Sequence, residues 1–243
     1  LSDDYATERR AMIDPNNAFP AMPPFGEVPG YSGGGSGPSA AVHGAAMIEY
    51  DTSYACAVDA DGNAFSVTPS DTSASSPIIP GTGLVVSGRG SQNWAVPEHA
   101  SCIAPGKRPR LSPNPAIAVK KGKVTMPFGT PGGDVQCQSM TQVFLNINEF
   151  GMTPQEAIEA PRFATYSHPD SFEPHQSQPG RVKIENRISR DTVAELEKRG
   201  HAVENWPELT RAAGAVCTIV HDRENGRLFG GADPRRQSGM MGW

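Results

Sequence analysis

The run DTSYACAVDADGN, residues 51–63, marks the point where the character of the chain changes. Residues 53–59 and 63–68 are predicted to form two strands, and Asp61-Gly62 between them is a typical hairpin turn. Thr52 stands directly before the first strand. On its own, a threonine in this position is most simply a residue that begins a strand.

The segment before this run has a different composition. A short helix is predicted over residues 4–14, and Asp14-Pro15 ends it. Residues 15–46 are dense in glycine and proline, which predicts a flexible linker. Its GYSGGGSG part follows no predicted strand and opens no predicted helix, so the pattern does not indicate a phosphate-binding loop.

Downstream of the run, strands and helices alternate in blocks. The order of strands, then helices, then strands again indicates an α+β layered sandwich rather than a parallel βαβ sheet. A loop is expected over residues 166–180. The predicted strands are 82–87, 115–119, 123–128, 181–185, 215–221 and 226–231, and the predicted helices are 132–149, 154–160 and 189–199.

Composition excludes several classes of function. The 243 residues carry a formal net charge of −5 without a basic stripe, which gives no support for a nucleic-acid partner. No stretch approaches 18 apolar residues, so no membrane span is expected. The four cysteines form no CxxC and no zinc-site spacing; four buried or half-buried thiols are expected, with a single disulfide left open. No cofactor or metal site is indicated, and the sequence assigns no compartment.

Seven ordered motifs give the chain a specific resemblance to the γ-glutamyltransferase family of N-terminal-nucleophile hydrolases. From residue 51 onward it resembles the small subunit, and the helix at residues 4–14 is similar to the last helix of the large subunit. The motifs are the opening run, AFSVT (64–68), PGTGL (80–84), PGKRP (105–109), GTPGG (129–133), APRF (160–163) and ADPR (232–235).

The resemblance implies a fold and a division of the chain. The family fold is a four-layer αββα sandwich with strands from both subunits, so this chain would be incomplete without the remaining large-subunit portion. Residues 1–51 would be the end of a large-subunit-like segment, a helix and a linker leading to a processing site. Residues 52–243 would be the catalytic, small-subunit-like domain.

The resemblance also implies a mechanism. A threonine hydroxyl needs a nearby base, and family members cut themselves just before the threonine so that the freed α-amino group, of pKa about 8, can serve. Here the bond cut would be Asp51-Thr52. Gly132 and Gly133 match the oxyanion-hole glycines, whose N–H groups are typically worth about 3 kcal/mol each. Ser70 stands where the family usually has a second threonine that contacts the nucleophile.

The matched substrate-binding positions depart from the family pattern. Thr72 replaces an asparagine, Ser91 or Gln92 replaces an aspartate that pairs with the substrate amino group, and Leu111 replaces the first serine of a pair whose second is kept as Ser112. Loss of that carboxylate should weaken recognition of a free α-amino group. Arg89 lies near this region and would either receive an acidic substrate or face solvent.

These observations favour an N-terminal-threonine amidohydrolase that acts on a small-molecule amide with a non-glutathione acyl group. The nearest alternative is a true γ-glutamyltransferase or glutathione hydrolase with a variant pocket. A third is an inactive relative that serves as a binding or structural subunit. The expected partner is a large-subunit chain or segment of the same precursor, which would make a hetero-oligomer.

Overall fold

A computed structural model describes most of the chain. Asp51, Thr72 and most of the linker predicted over residues 15–46 lie outside the described residues. The described ranges are 2–24, 26, 52–71 and 76–243.

Helix α1 spans Asp3–Ala11, and Ser2 caps it by accepting a hydrogen bond from the backbone N–H of Tyr5. The predicted end at residue 14 was wrong. The side chain of Asp14 instead accepts a hydrogen bond from the backbone N–H of Asn16, at 2.7 Å, and so forms a local turn that competes with the helix.

Two antiparallel sheets come from the predicted hairpins. Strands β1 (Ala55–Val58) and β2 (Ala64–Val67) pair around the predicted Asp61-Gly62 turn, where Gly62 has a φ of 82°. The second sheet has the order β3-β4-β8-β9 and is antiparallel throughout. Its strands are β3 (Ala116–Lys120), β4 (Lys123–Gly129), β8 (Cys217–Asp222) and β9 (Arg227–Gly231).

These sheets and two helices build the layers of the molecule. The β1–β2 hairpin packs on β3, β4 and β8. Helices α2 (Gln136–Asn148) and α3 (Pro154–Glu159) pack on β4, β8 and β9 and bury a core of Val143, Ile158 and Val216. One helical layer and two sheets of the predicted αββα sandwich are therefore present in the described part of the chain, where no helix packs extensively on the hairpin.

A third sheet is formed by the part of the chain between α3 and β8. Strands β5 (Phe163–Thr165), β6 (Arg181–Glu185) and β7 (Ala202–Trp206) pair in that order, with β6 and β7 parallel. Helix α4 (Arg190–Lys198) connects the two parallel strands and is capped by Ser189. Strand β6 and helix α4 confirm their predictions, whereas β5 and β7 were not predicted.

The strand predicted over residues 82–87 was wrong. Leu84, Val85 and Val86 are exposed, and Val85 forms only an isolated bridge with Ile78. Positive φ values at Gly81 and Gly83 bend the backbone into a tight turn, which leaves this apolar stretch without a sheet to extend. All four cysteines are free thiols, and three of them are half-buried as predicted; the prediction was wrong for Cys137, which is exposed.

The APRF and ADPR motifs meet in one buried ion network. Arg162 binds the carboxylate of Asp233 at 2.7 Å, and Arg235 binds Glu185 at 2.6 Å and Asp233 at 3.3 Å. All four side chains are almost fully buried. Arg162 also donates to the backbone carbonyl of Ala213, so the network anchors the loop that precedes β8.

Candidate active site

Thr52 and Ser70 face each other at the open end of the β1–β2 hairpin. They form an isolated antiparallel bridge, and the backbone N–H of Ser53 donates to the carbonyl of Pro69 at 3.0 Å. The two side-chain oxygens are 2.5 Å apart. Thr52 is buried, with 8% of its surface exposed. The structure therefore brings together the two hydroxyl groups that the sequence predicted to be neighbours.

A buried guanidinium group adjoins this hydroxyl pair. Arg89 lies in a 3₁₀ turn, Gly88–Gln92, and one terminal nitrogen donates to the hydroxyl of Ser70. The other donates to the hydroxyl of Ser112 at 3.1 Å, and the guanidinium carbon lies 5.5 Å from the ring centre of Phe172. Only 8% of Arg89 is exposed, which excludes the solvent-facing alternative. Nothing in the sequence pointed to Phe172.

The predicted substrate-binding residues divide into two groups. Gln92 is fully buried and exchanges two hydrogen bonds with Ser112, donating to its hydroxyl at 2.7 Å and accepting from its N–H at 3.2 Å. The hydroxyl of Ser91 instead donates to the carbonyl of Gly88 in its own turn. The side chain of Leu111 is 58% exposed. Of these positions, Gln92 and Ser112 therefore join Arg89, whereas the Ser91 hydroxyl bonds within its own turn and Leu111 is exposed.

Gly132 and Gly133 form the loop that leads into α2. Their φ values of 137° and 57° lie in the region that favours glycine. Gly133 opens a short 3₁₀ turn, Gly133–Val135, that continues directly into α2, so both N–H groups lie at a helix start. Within the described part of the chain, neither N–H donates a hydrogen bond.

The loop before β8 supports this glycine loop. A Cβ atom on Gly132 would lie 3.4 Å from the Cα of Gly214. The hydroxyl of Thr130 accepts from the N–H of Ala215 at 2.6 Å and donates to the carbonyl of Pro131 at 2.7 Å. The position of Gly132 thus depends on a loop that is itself held by the buried ion network.

Tyr54 packs the segment that carries Thr52 against Gly129 at the end of β4. A Cβ atom on Gly129 would lie 2.2 Å from the Tyr54 ring, so only glycine permits this contact. The Tyr54 hydroxyl bonds to the hydroxyl of Ser66 at 2.8 Å, and burial raises the pKa of Tyr54 well above its usual value. Tyr54 stays neutral and packs the end of β4 against the segment that carries Thr52.

Two other kinds of site are not found in the part of the chain that the structure covers. No three His, Cys, Asp or Glu side chains lie together in a way that could hold a metal ion. None of the helices has the length and apolar character needed to cross a bilayer.

Comparison with known proteins supports the family resemblance. The family model described as Gamma-glutamyltranspeptidase matches residues 1–243. The glutathione hydrolase-like YwrD proenzyme of Bacillus subtilis (strain 168) is 34% identical over 197 residues, which are 79% of this chain and 36% of that protein. The oxamate amidohydrolase proenzyme of Klebsiella pneumoniae (subsp. pneumoniae strain ATCC 700721 / MGH 78578) is 31% identical, over 87% of this chain and 37% of that protein.

A solved structure extends the similarity to the fold. The crystal structure of a cephalosporin acylase from Bacillus halodurans superposes with a TM-score of 0.75 at 28% identity, over 100% of this chain and 39% of the acylase chain. The chain therefore has the N-terminal-nucleophile hydrolase fold of these proteins, and it spans less than two fifths of the length of both curated relatives.

Proposed function

The chain belongs to the γ-glutamyltranspeptidase family, and we propose that it is the catalytic part of a self-processing amide hydrolase with Thr52 as its nucleophile. The observation that carries this proposal is the buried contact of 2.5 Å between the hydroxyl oxygens of Thr52 and Ser70. A hydroxyl held by a hydrogen-bonding neighbour is oriented for attack, which an exposed strand-start threonine would not be.

The proposed maturation step creates the base. Thr52 Oγ1 attacks the carbonyl carbon of Asp51 and gives up its proton, the Asp51-Thr52 peptide bond breaks, and the leaving nitrogen takes up that proton to become the α-amino group of Thr52. Water then hydrolyses the ester that remains between Asp51 and the hydroxyl. The new amine, with an unperturbed pKa of about 8, is positioned to accept the hydroxyl proton in every later turnover.

The proposed turnover uses the same atoms on a substrate amide. The hydroxyl proton moves to the α-amine as Oγ1 attacks the amide carbonyl, and the amine passes a proton to the leaving nitrogen as the C–N bond breaks. Water then cleaves the acyl ester and regenerates the hydroxyl. The N–H groups of Gly132 and Gly133 would stabilise the oxyanion in both steps, which is supported by their place at a helix start.

We propose that the acyl group differs from the γ-glutamyl group. Gln92 and Ser112 are neutral and hydrogen-bond each other, so they offer no carboxylate to a substrate ammonium. Thr72, Ser91 and Leu111 remain proposed substrate contacts. The names of the relatives, a glutathione hydrolase-like protein, an oxamate amidohydrolase and a cephalosporin acylase, refer to chemically different amides, so family membership leaves the acyl group open.

The proposed division of labour places residues 1–51 at the end of a large-subunit-like segment and residues 52–243 in the catalytic domain. Phe65 on β2 and Ile117 and Val119 on β3 are exposed, which is unfavourable for apolar side chains on neighbouring strands. We propose that a large-subunit chain or segment of the same precursor packs here. That partner would also complete the substrate pocket.

Replacing Thr52 by alanine in the full-length precursor tests the nucleophile. We expect the Thr52→Ala protein to stay uncleaved and to release no product from any amide, whereas Ser53→Ala, which removes the neighbouring exposed hydroxyl, should mature normally. Mass spectrometry of the mature wild type should find a new N-terminus at Thr52. Maturation or turnover in the Thr52→Ala protein would refute the proposal, and an uncleaved wild type would support an inactive relative.

A second assay tests the acyl specificity. The mature enzyme should release little p-nitroaniline from γ-glutamyl-p-nitroanilide but should hydrolyse other acyl amides in a panel of neutral and acidic donors. Turnover of the γ-glutamyl substrate as fast as that of the best other donor would instead favour a true γ-glutamyltransferase or glutathione hydrolase.

A further inference from the structure

Arg89 forms one end of a continuous chain of side-chain hydrogen bonds that ends at Thr52. Its guanidinium donates to the hydroxyl of Ser70, and that oxygen lies 2.5 Å from Thr52 Oγ1. We propose that Arg89 is a positioning residue that sets the direction of this chain and places a positive charge behind the attacking oxygen. This inference rests on the proposed role of Thr52 as nucleophile.

The direction of the chain follows from the chemistry of its first member. A guanidinium group has only N–H donors and stays protonated, so the oxygen of Ser70 must accept the bond from Arg89. An accepted bond from a cation polarises the O–H of Ser70 and strengthens it as a donor. We assign Ser70 as the donor and Thr52 Oγ1 as the acceptor of the 2.5 Å bond, because an oxygen that already accepts from a cation is the poorer acceptor for a second bond. The proton of Thr52 is thereby directed away from Ser70 and towards its own α-nitrogen.

The charge of Arg89 has a second consequence. As the proton of Thr52 moves to the α-amine and the bond to the carbonyl carbon forms, negative charge builds on Oγ1. The surroundings are buried, so a cation two hydrogen bonds away stabilises this charge more than it would in water. Arg89 and Ser70 keep all their own protons, and no atom passes through them.

The surroundings of Arg89 hold it in this role. Ser112 accepts from its second terminal nitrogen, and Gln92 fixes Ser112 through two hydrogen bonds. The ring of Phe172 lies 5.5 Å from the guanidinium carbon, a cation–π distance that favours the charged form. A side chain anchored at both terminal nitrogens and over one face loses little orientation when the site is in use.

A double-mutant cycle in the full-length protein tests the proposal. Arg89→Met and Ser70→Ala should each lower kcat on a neutral amide on the order of 10²-fold with little change in KM, because each removes a preorganised donor. The double variant should be slower than Ser70→Ala by much less than the loss seen in Arg89→Met alone, because Arg89 acts mainly through Ser70 and only its direct charge effect on Oγ1 remains. Arg89→Lys, which keeps the charge and a donor, should recover most of the loss.

The controls separate this role from others. Arg108→Met makes the same substitution at an exposed arginine of the same region and should leave kcat unchanged. Circular dichroism and thermal melting establish that each variant is folded. Where a variant matures too slowly for turnover assays, the same cycle is measured on the maturation rate, because the same oxygen attacks Asp51.

Each remaining outcome has a defined meaning. Losses that multiply in the double variant, equal losses in Arg89→Lys and Arg89→Met, or a raised KM with unchanged kcat would each overturn the positioning role; the last would make Arg89 a substrate-binding group. An unchanged Arg89→Met beside an inactive Thr52→Ala protein refutes this inference alone. An active Thr52→Ala protein refutes the proposed function itself.

Discussion

The molecule contains two buried polar clusters that differ in the charges of their members. In the ion network, Arg162 and Arg235 meet Glu185 and Asp233, and both arginines also bind backbone carbonyl groups. In the hydroxyl cluster around Thr52, the named contacts join neutral hydroxyls to a single guanidinium. The first cluster matches opposite charges with each other, and the second aligns the hydroxyl of Ser70 with the hydroxyl proposed to be the nucleophile.

The difference shows how burial can serve two purposes. The paired charges of the ion network fix the relative positions of β5, β6 and the segment after β9, so the network serves to hold these segments together. A row of hydroxyls contributes little to stability, yet small shifts in it change the reactivity of one oxygen. The two clusters should therefore respond oppositely to substitution, with losses of stability in one and losses of rate in the other.

The largest expected effect is on stability. Glu185→Gln leaves Arg235 buried beside a neutral side chain, and we expect the free energy of unfolding to fall by about 3–5 kcal/mol, as is usual when one partner of a buried pair is removed. Glu204→Gln breaks the more exposed pair with Arg181 and should cost about 0.5 kcal/mol. Urea unfolding measures both; equal losses would show that burial does not distinguish the pairs.

The next effect is mainly on rate. Ser70→Ala should lower the free energy of unfolding by about 1 kcal/mol, the net value of a typical hydrogen bond, while kcat falls on the order of 10²-fold. Ser70→Thr restores a hydroxyl and should retain most of the activity. Unfolding curves and turnover are measured on the same preparations. If Ser70→Ala lost as much unfolding free energy as Glu185→Gln, the two clusters would not differ in their contribution to stability.

Local patterns predicted the fold where neighbours in sequence are also neighbours in space. The β1–β2 hairpin and strand β6 with helix α4 were found from turn and cap residues, and the predicted α+β class is confirmed. Strand β7 was missed because its parallel partner, β6, is separated from it in sequence by the whole of helix α4. The strand predicted over residues 82–87 failed for the opposite reason, since a suitable apolar stretch finds no partner strand.

The candidate site was predictable only as far as the resemblance reached. Motif order identified Thr52, Ser70, Gly132 and Gly133, although their roles in catalysis stay predictions. The contact between Arg89 and Ser70 joins two loop residues with no shared periodicity, so no local signal could predict it. The roles of the APRF and ADPR motifs were equally hidden, because Arg162 and Asp233 meet only in the folded chain.

A smaller effect on rate is expected from the loop before β8. Gly214 has a φ of 80°, and an added Cβ would lie 2.8 Å from the hydroxyl of Thr130. Gly214→Ala should therefore shift the loop that supports Gly132 and lower kcat roughly tenfold. Gly226→Ala, at a similar φ of 64° with open space around it, is the control and should cost only about 1 kcal/mol of stability. Equal kcat for both variants would show that the loop before β8 does not determine the position of the glycine loop.

The smallest effect concerns acid stability. Burial alone would raise the pKa of Glu185, but the hydrogen bond and charge of Arg235, the N–H of Arg162 and the side chain of Arg187 together hold that pKa below its ordinary value. A carboxyl with a lowered folded pKa stabilises the protein fully above its unfolded pKa, about 4.3, and loses that contribution as the pH falls through the folded value.

The stability difference between the wild type and Glu185→Gln should therefore be constant near neutrality and shrink only below about pH 4. The matched comparison is Ser70→Ala, whose deficit should not depend on pH over the same range because neither hydroxyl titrates there. Unfolding free energies of the wild type and both variants, measured from pH 7 to pH 3, show whether each loss depends on pH. If the loss of unfolding free energy in Glu185→Gln stayed the same down to pH 3, the loss would come from altered packing and not from the charge of Glu185. The contrast between a charge-based ion network and a neutral hydroxyl cluster would then fail.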